Sequence, residues 1–214
     1  MSDIFREVDE DLRTDQYTKL WRQYGRFVIA AVVAVIVATA VWQAYIAWDR
    51  SRSEGYSERF IAALQMLQAG QPGAAIAALE TLEQDAATGY ASLARLQRAG
   101  ALIQAGDRRE AITLYDAIAN DDSVDRSLRD LASYMAAQSL LDTADEATLE
   151  RRLQPLNQDG KPWRFNAREL LALTALRAGN TAKAREYYAQ LTDDPATPQA
   201  IRARAAEMLA AMAA

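Results

Sequence analysis

The sequence contains neither cysteine nor histidine. The lack of cysteine excludes a disulfide, a thiolate nucleophile, iron–sulfur ligation and a lipid anchor on a thiol. The lack of both residues removes the usual ligands of zinc and the commonest general base. No Walker loop, G-x-G-x-x-G or G-x-S-x-G motif occurs either. We therefore predict no catalytic, metal or cofactor site, and chemistry by carboxylates alone is the remaining enzyme alternative.

Basic residues are also in the minority, with 24 Lys and Arg against 29 Asp and Glu. Nucleic-acid binding needs a basic patch, and the chain has no basic run, so nucleic acid is not an expected partner. One carboxylate cluster comprises Asp116, Asp121, Asp122 and Asp125. It lacks the glycine and the terminal glutamate of a calcium loop, so we predict a solvated loop with a helix cap.

What the chain does contain is one long uncharged run, FVIAAVVAVIVATAVWQAYIAW, over residues 27–48. At about 1.5 Å per residue, such a helix covers roughly the 30 Å hydrocarbon core of a bilayer. The run therefore predicts a transmembrane helix at 27–48. It would be preceded by an arm at 1–26 and followed by a soluble domain at 49–214.

A cleaved signal peptide is the alternative for this run, because Ala38-Thr39-Ala40 resembles a cleavage site. Three features favour an uncleaved anchor instead. The arm is long and acidic, and apolar character continues beyond the supposed site. Aromatic residues suited to membrane interfaces also stand at both ends of the run. They are Trp21, Tyr24, Trp42, Tyr45 and Trp48.

Charges on the two sides of the run predict its orientation. Arg13, Lys19, Arg22 and Arg26 precede it, whereas only arginines at 50, 52 and 59 follow closely. The positive-inside rule then places the N-terminus in the cytoplasm. In a bacterium this gives a single-pass inner-membrane protein with a periplasmic C-terminal domain.

The alanine row of the apolar run and the amphipathic stretch of the arm each allow two interpretations. Ala30, Ala34 and Ala38 recur every four residues, which suits either close packing against another membrane helix or plain lipid contact. The arm is amphipathic over residues 4–12, which suits either a juxtamembrane helix without a partner or a docking helix.

The soluble domain repeats one pattern, Gly-x4-Ala-x3-(Leu/Tyr)-x2-(Leu/Ile). The residues that carry it are Gly70 and Ala75, then Gly106, Ala111 and Tyr115, then Gly179, Ala184 and Tyr188. Gly70 and Gly106 are 36 residues apart, and Gly106 and Gly179 about twice that. A degenerate copy is expected between them, with Asp142 at the glycine place and Ala147 at the alanine place.

Self-similarity at this period predicts an all-α fold, in which a membrane helix is followed by a solenoid of about four helix pairs. The glycine would lie in the tight turn of each pair, and the alanine where the helices cross. An ordinary alanine-rich helical bundle is the alternative.

This pattern resembles the tetratricopeptide repeat, whose helix pairs carry small residues at such positions. In that family the first helix of each pair lines a concave groove. The resemblance implies a candidate partner-binding groove on those helices. Its candidate residues are Arg95, Arg98, Tyr134, Gln138 and Arg168, with Gln104 on the same helices. Trp163 is either a packing residue or an aromatic residue of the groove.

The whole chain is similar to the ancillary subunit family of the bacterial Sec translocon. The features that carry this resemblance are the start SDIFREVDEDLR, the approach DQYTKLWRQYGRF, the single run and the repeats. It implies a scaffold that binds translocon subunits through the membrane helix. It also implies that the repeats contact periplasmic chaperones or client polypeptides, without catalytic residues. An envelope-assembly or cell-division scaffold, with the helix acting only as an anchor, is the alternative.

Overall fold

The computed structural model describes the backbone of residues 3–213 and the side chains of residues 27–213, apart from residues 28, 49, 51, 52 and 88. The amphipathic side chains predicted for the arm, and Trp21 and Tyr24, lie outside the described side chains. Residues 3–213 form nine α-helices. In chain order they are α1 (Asp3–Gln68), α2 (Pro72–Asp85), α3 (Thr88–Ala105), α4 (Arg108–Ala119), α5 (Arg126–Leu140), α6 (Glu146–Leu153), α7 (Arg164–Arg177), α8 (Thr181–Asp193) and α9 (Gln199–Ala213).

The chain divides into two compact units, and the division falls after Gly55, inside α1. In the second unit each helix from α2 onward packs on the next one, and α3 also meets α5. The end of α1 joins α2 and α3 through a buried cluster around Ala63, Leu79 and Leu82. The predicted all-α fold of antiparallel helix pairs is thus confirmed, with α9 following the fourth pair.

Three of the turns within pairs have one geometry. After α3, Gly106 adopts φ 94°, its N–H donates to the Ile103 carbonyl at 3.1 Å, and the Asp107 N–H donates to the Leu102 carbonyl at 2.9 Å. Gly70 and Gly179 repeat these two hydrogen bonds, with φ of 71° and 80°. This pattern satisfies the last carbonyls of the helix and needs a left-handed residue, which is why glycine recurs there.

Small residues mark the places where helices cross. The alanine that follows each of these glycines by five residues (Ala75, Ala111 or Ala184) is fully buried. Four residues later, a large side chain, Leu79, Tyr115 or Tyr188, fills the neighbouring space. The alternation of small and large residues lets the helices approach and still excludes voids.

The third pair corrects one expectation. Ala147, which the repeat pattern predicted at the buried alanine place, is exposed. The buried residues of this pair are instead Leu149, Leu153 and Leu156. The pattern therefore resumes two residues later than predicted, because the turn from Leu141 to Asp145 is longer than the others and no residue in it has positive φ. Asp145 caps α6 by accepting a 2.7 Å hydrogen bond from the Thr148 N–H.

Candidate functional site

The candidate arginines of the groove, Arg95 and Arg98, both bind carboxylates of the chain itself. Arg95 lies 3.4 Å from Glu83 and 2.8 Å from Asp121, so it links α3 to α2 and to the loop before α5. Arg98 lies 3.1 Å from both Glu80 and Glu83. Three of these ion pairs are partly buried and the pair with Glu80 is exposed; each connects α3 to a neighbouring helix or loop. These ion pairs stabilise the stack of helices. A partner that bound Arg95 or Arg98 would have to displace the carboxylates that already hold them.

Tyr134 and Arg168 also contact other residues of the chain, Tyr134 through its ring and Arg168 through a hydrogen bond. The Tyr134 ring stacks on Trp163, with centroids 5.7 Å apart and 14° between planes. Burial raises the pKa of Tyr134, and the nearby Glu169 carboxylate raises it further. Arg168 donates from Nε to the Asn157 side chain at 2.9 Å. Tyr134 and Trp163 thus join α5 to the segment that leads into α7.

Gln138 lines a cavity that lies between α3, α4 and α5. We call it the α3–α5 cavity, and its volume is about 340 Å³. Its lining residues come from three helices and one turn. They are Gly100, Ile103, Gln104, Arg108, Tyr115, Met135, Gln138, Ser139 and Asp142. Of the five candidate groove residues, Gln138 is the one that the structure brings to this cavity.

The lining of the α3–α5 cavity carries no net charge. Arg108 and Asp142, which are both exposed, lie 3.7 Å apart. Gln104 and Gln138 are exposed and neutral, and Ile103 and Met135 contribute apolar walls. Such a lining suits an uncharged ligand with hydrogen-bonding groups, because a charged one would lose hydration without gaining a matching ion pair.

A second depression was not predicted from the sequence. It lies between the start of α5 and the turn at residues 158–162, has a volume of about 360 Å³, and contains the ion pair of Lys161 with Asp130 at 2.9 Å. The paired residues are 31 positions apart and belong to no repeat pattern. No local signal in the sequence could have revealed them.

The described residues of the apolar run are exposed, apart from the half-buried Ile46. The stretch Ile29–Gln68 of α1 contains a segment with mean hydropathy 2.2, and by length and composition this helix could cross a membrane. None of that segment is buried, unlike the core helix of a soluble protein. Ala30, Ala34 and Ala38 are among its exposed residues. Thr39 donates its hydroxyl to the Val35 carbonyl at 2.6 Å, so this polar group is satisfied within the helix.

Comparison with known families decides the identity of this arrangement. The family model of the tetratricopeptide repeat-like domain matches residues 18–208. The chain belongs to this family. No curated protein and no solved structure matches it.

Domains of the tetratricopeptide repeat-like family are typically non-catalytic and act as scaffolds for protein partners. The matched region of this tetratricopeptide repeat-like chain includes the apolar run as well as the helix pairs. The repeat signature residues Gly70, Gly106 and Gly179 lie at its turns, as described above. A surface for protein partners is therefore the kind of site to expect on the helix pairs.

The carboxylate cluster serves the repeat stack in separate places. Asp116 pairs with Arg152 at 2.9 Å, Asp121 with Arg95, and Asp122 with Arg129. Asp125 caps α5 by accepting a 2.8 Å hydrogen bond from the Ser127 N–H. Because the four carboxylates have four different partners, they do not converge on one ion.

Proposed function

We propose that this chain is a membrane-anchored protein-interaction scaffold of the bacterial inner membrane. In this proposal it works beside the Sec translocon and links secreted proteins to periplasmic chaperones. One observation carries the proposal: a single family match, residues 18–208, covers both an unburied apolar helix and a stack of tetratricopeptide-like pairs. The resemblance of the arm and of the approach to the helix supplies the translocon as partner.

The proposed layout has three parts. Residues 1–26 form a cytoplasmic arm, residues 27–48 span the membrane, and residues 49–214 form the periplasmic repeat domain. The excess of Lys and Arg before the span supports this orientation. The acidic arm and the apolar residues that continue beyond Ala38-Thr39-Ala40 support an uncleaved anchor.

The span would do more than anchor the domain. Ala30, Ala34 and Ala38 are exposed on one side of the helix, where small side chains let a second backbone approach closely. Without a hydrophobic force between helices inside the bilayer, such close packing is a main source of affinity. We propose this side as the contact with a translocon subunit.

The deciding experiment is affinity purification of the tagged full chain from its own membranes in a gentle detergent. It is run beside a version in which residues 27–48 are replaced by an unrelated span. Enrichment of translocon subunits that is lost on replacement supports the proposal. If neither sample enriches them, the translocon assignment is wrong. If cells that carry the version with the replaced span grow like cells with the native chain, the result supports instead an envelope-assembly or cell-division scaffold with a passive anchor.

Two substitutions test the proposed packing side within the same experiment. Ala34→Leu places a large side chain in the middle of the alanine row and should reduce recovery of translocon subunits. Val32→Leu, a change of similar chemistry on the other side of the helix, should not. Equal recovery from both variants would remove the alanine row from the proposal.

A further inference from the structure

Gly100 is placed where the fold does not require a glycine. It lies inside the helix α3, and its φ is not in the left-handed region. A Cβ added there would meet the Tyr115 hydroxyl oxygen at 3.7 Å, which is an ordinary contact. Since glycine weakens a helix interior relative to alanine, packing alone does not explain it.

The other repeats confirm that the pattern does not need this glycine. Gly100 precedes the turn glycine Gly106 by six residues. At the same distance before Gly70 and Gly179 the chain has Leu64 and Leu173, and before Asp142 of the third pair it has Ala136. The missing side chain is therefore specific to the second pair, where it opens the α3–α5 cavity above Tyr115.

Tyr115 is the second residue that shapes this cavity. The residue is 4% exposed and lines the cavity. Its hydroxyl oxygen is not among the enclosed polar atoms without a partner, so it is open to the cavity and can bind a ligand there. Leu79 and Leu153 fill the corresponding places of the first and third pairs and Tyr188 that of the fourth, so either a leucine or a tyrosine suits the packing there. Burial raises the pKa of Tyr115, so the hydroxyl remains a donor at neutral pH.

The rim offers groups that match a peptide chain. Gln104 and Gln138 are exposed on α3 and α5, and each carboxamide can donate and accept, as a peptide group does. The exposed pair of Arg108 and Asp142 leaves the rim without net charge. A volume of about 340 Å³ is ample for one side chain.

We propose that the α3–α5 cavity binds an extended polypeptide segment, with one uncharged, hydrogen-bonding side chain of that segment seated on the Tyr115 hydroxyl and its neighbouring peptide groups on Gln104 and Gln138. This inference rests on the proposed function, because it names the site at which the scaffold holds an unfolded or flexible polypeptide. Asparagine, glutamine, serine and threonine are the side chains of this class.

Methyl NMR of the full chain in lipid nanodiscs tests the proposal directly. The chain has five methionines, and Met135 lines the cavity whereas Met66 and Met208 do not. The probe is an acetylated and amidated nonapeptide of alanine and glycine with asparagine at its centre. We expect a saturable shift of the Met135 methyl signal, with Met66 and Met208 unchanged. Aspartate or lysine at the centre should bind at least about tenfold more weakly.

Three variants identify the contacts. Gly100→Leu fills the opening and should raise Kd at least about tenfold. Tyr115→Phe removes only the hydroxyl and should raise Kd about fivefold, as expected for one hydrogen bond. Tyr188→Phe is the matched control: it removes the hydroxyl at the same repeat position of the fourth pair, which does not line the cavity, and should leave Kd unchanged.

Several outcomes would overturn the inference. They are no saturable Met135 shift up to about 10 mM probe, an unchanged Kd in Gly100→Leu, and equally tight binding of N-acetylasparagine amide, which would make this a small-solute site. None of them bears on translocon recovery, which depends on the span. A chain that binds no probe but still enriches translocon subunits therefore refutes the cavity proposal alone.

Discussion

Two adjacent tyrosines should respond to the same substitution with opposite signs. Tyr187 and Tyr188 both lie in α8 and are both buried. The Tyr187 hydroxyl accepts a 3.0 Å hydrogen bond from the Gln154 side chain. The Tyr188 hydroxyl oxygen is enclosed without a hydrogen-bond partner among the described residues. Replacement by phenylalanine therefore removes a hydrogen bond at one site and an unsatisfied polar group at the other.

The magnitudes follow from these surroundings. An unsatisfied buried polar group costs about 1–3 kcal/mol, and the small void left by one oxygen cancels part of the gain. We expect Tyr188→Phe to raise the free energy of unfolding by about 1 kcal/mol. Tyr187→Phe deprives Gln154 of its acceptor and should lower it by about 1 kcal/mol. For a domain of this size, each change moves Tm by about 2–4 °C.

Urea unfolding of the full chain in a mild detergent, followed by far-ultraviolet circular dichroism, measures both changes. The midpoints should move in opposite directions by about 0.5 M. Tyr115→Phe serves as the control, because its hydroxyl reaches the α3–α5 cavity, and its effect should stay within about 0.5 kcal/mol. Destabilisation by Tyr188→Phe of more than that amount would show that its hydroxyl has a partner and would refute the reasoning.

Three further predictions concern the turns and the third pair. Gly106→Ala should lower the free energy of unfolding by about 1 kcal/mol, since φ is 94°, whereas Gly100→Ala should raise the Tm. Leu149→Ala should lower the free energy of unfolding by about 2–5 kcal/mol, because Leu149 is buried, whereas the exposed Ala147→Ser should lower it by less than about 0.5 kcal/mol. Urea unfolding measures both, and equal losses would contradict the two-residue offset of the third pair. The Ser123 hydroxyl and then Arg95 lower the pKa of Asp121 to about 2. Its contribution is therefore complete above about pH 4 and lost as pH falls towards 2, so the Tm difference from Asp121→Asn should vanish over that range.

The turns were predictable from the sequence because their cause is local. A helix that ends with the two hydrogen bonds seen at Gly106 requires a left-handed residue one place after its end, so glycine marks the site directly. The buried alanines follow at a fixed distance, because helix geometry fixes which residue faces the partner helix. The all-α repeat fold therefore followed from a few positions.

The third pair was harder because its turn uses no glycine. Asp142 stands at the expected distance, but the chain instead forms a longer turn that Asp145 ends by capping α6. The apolar residues Leu149 and Leu153 carry the true register. An acidic residue at the expected place is no evidence for a left-handed turn, and the leucine spacing was the better signal.

The candidate groove was predictable only in part because its residues depend on helix phase. Arg95 and Arg98 lie on the predicted helix, but their partners Glu83 and Asp121 come from α2 and from the loop before α5. A period of repeats predicts which helices are neighbours, whereas it does not predict which side chains meet across them. Gly100 had a sequence signal of its own, as a glycine inside a helix at a place where the first and fourth pairs have leucine.

Side-chain contacts between neighbouring helices also explain how the stack accommodates its short third pair. α6 has eight residues, the fewest of the described helices, and so offers the least apolar surface. Charged and polar residues on both sides compensate. Arg152 of α6 binds Asp116 of α4, and Lys183 of α8 binds Glu146 at 3.2 Å and also Glu150. These bridges lie 33–37 residues apart, about one repeat, so they join corresponding faces of successive second helices. A stack stabilised by contacts between neighbours can accept one short helix, provided that each neighbour holds it from its own side.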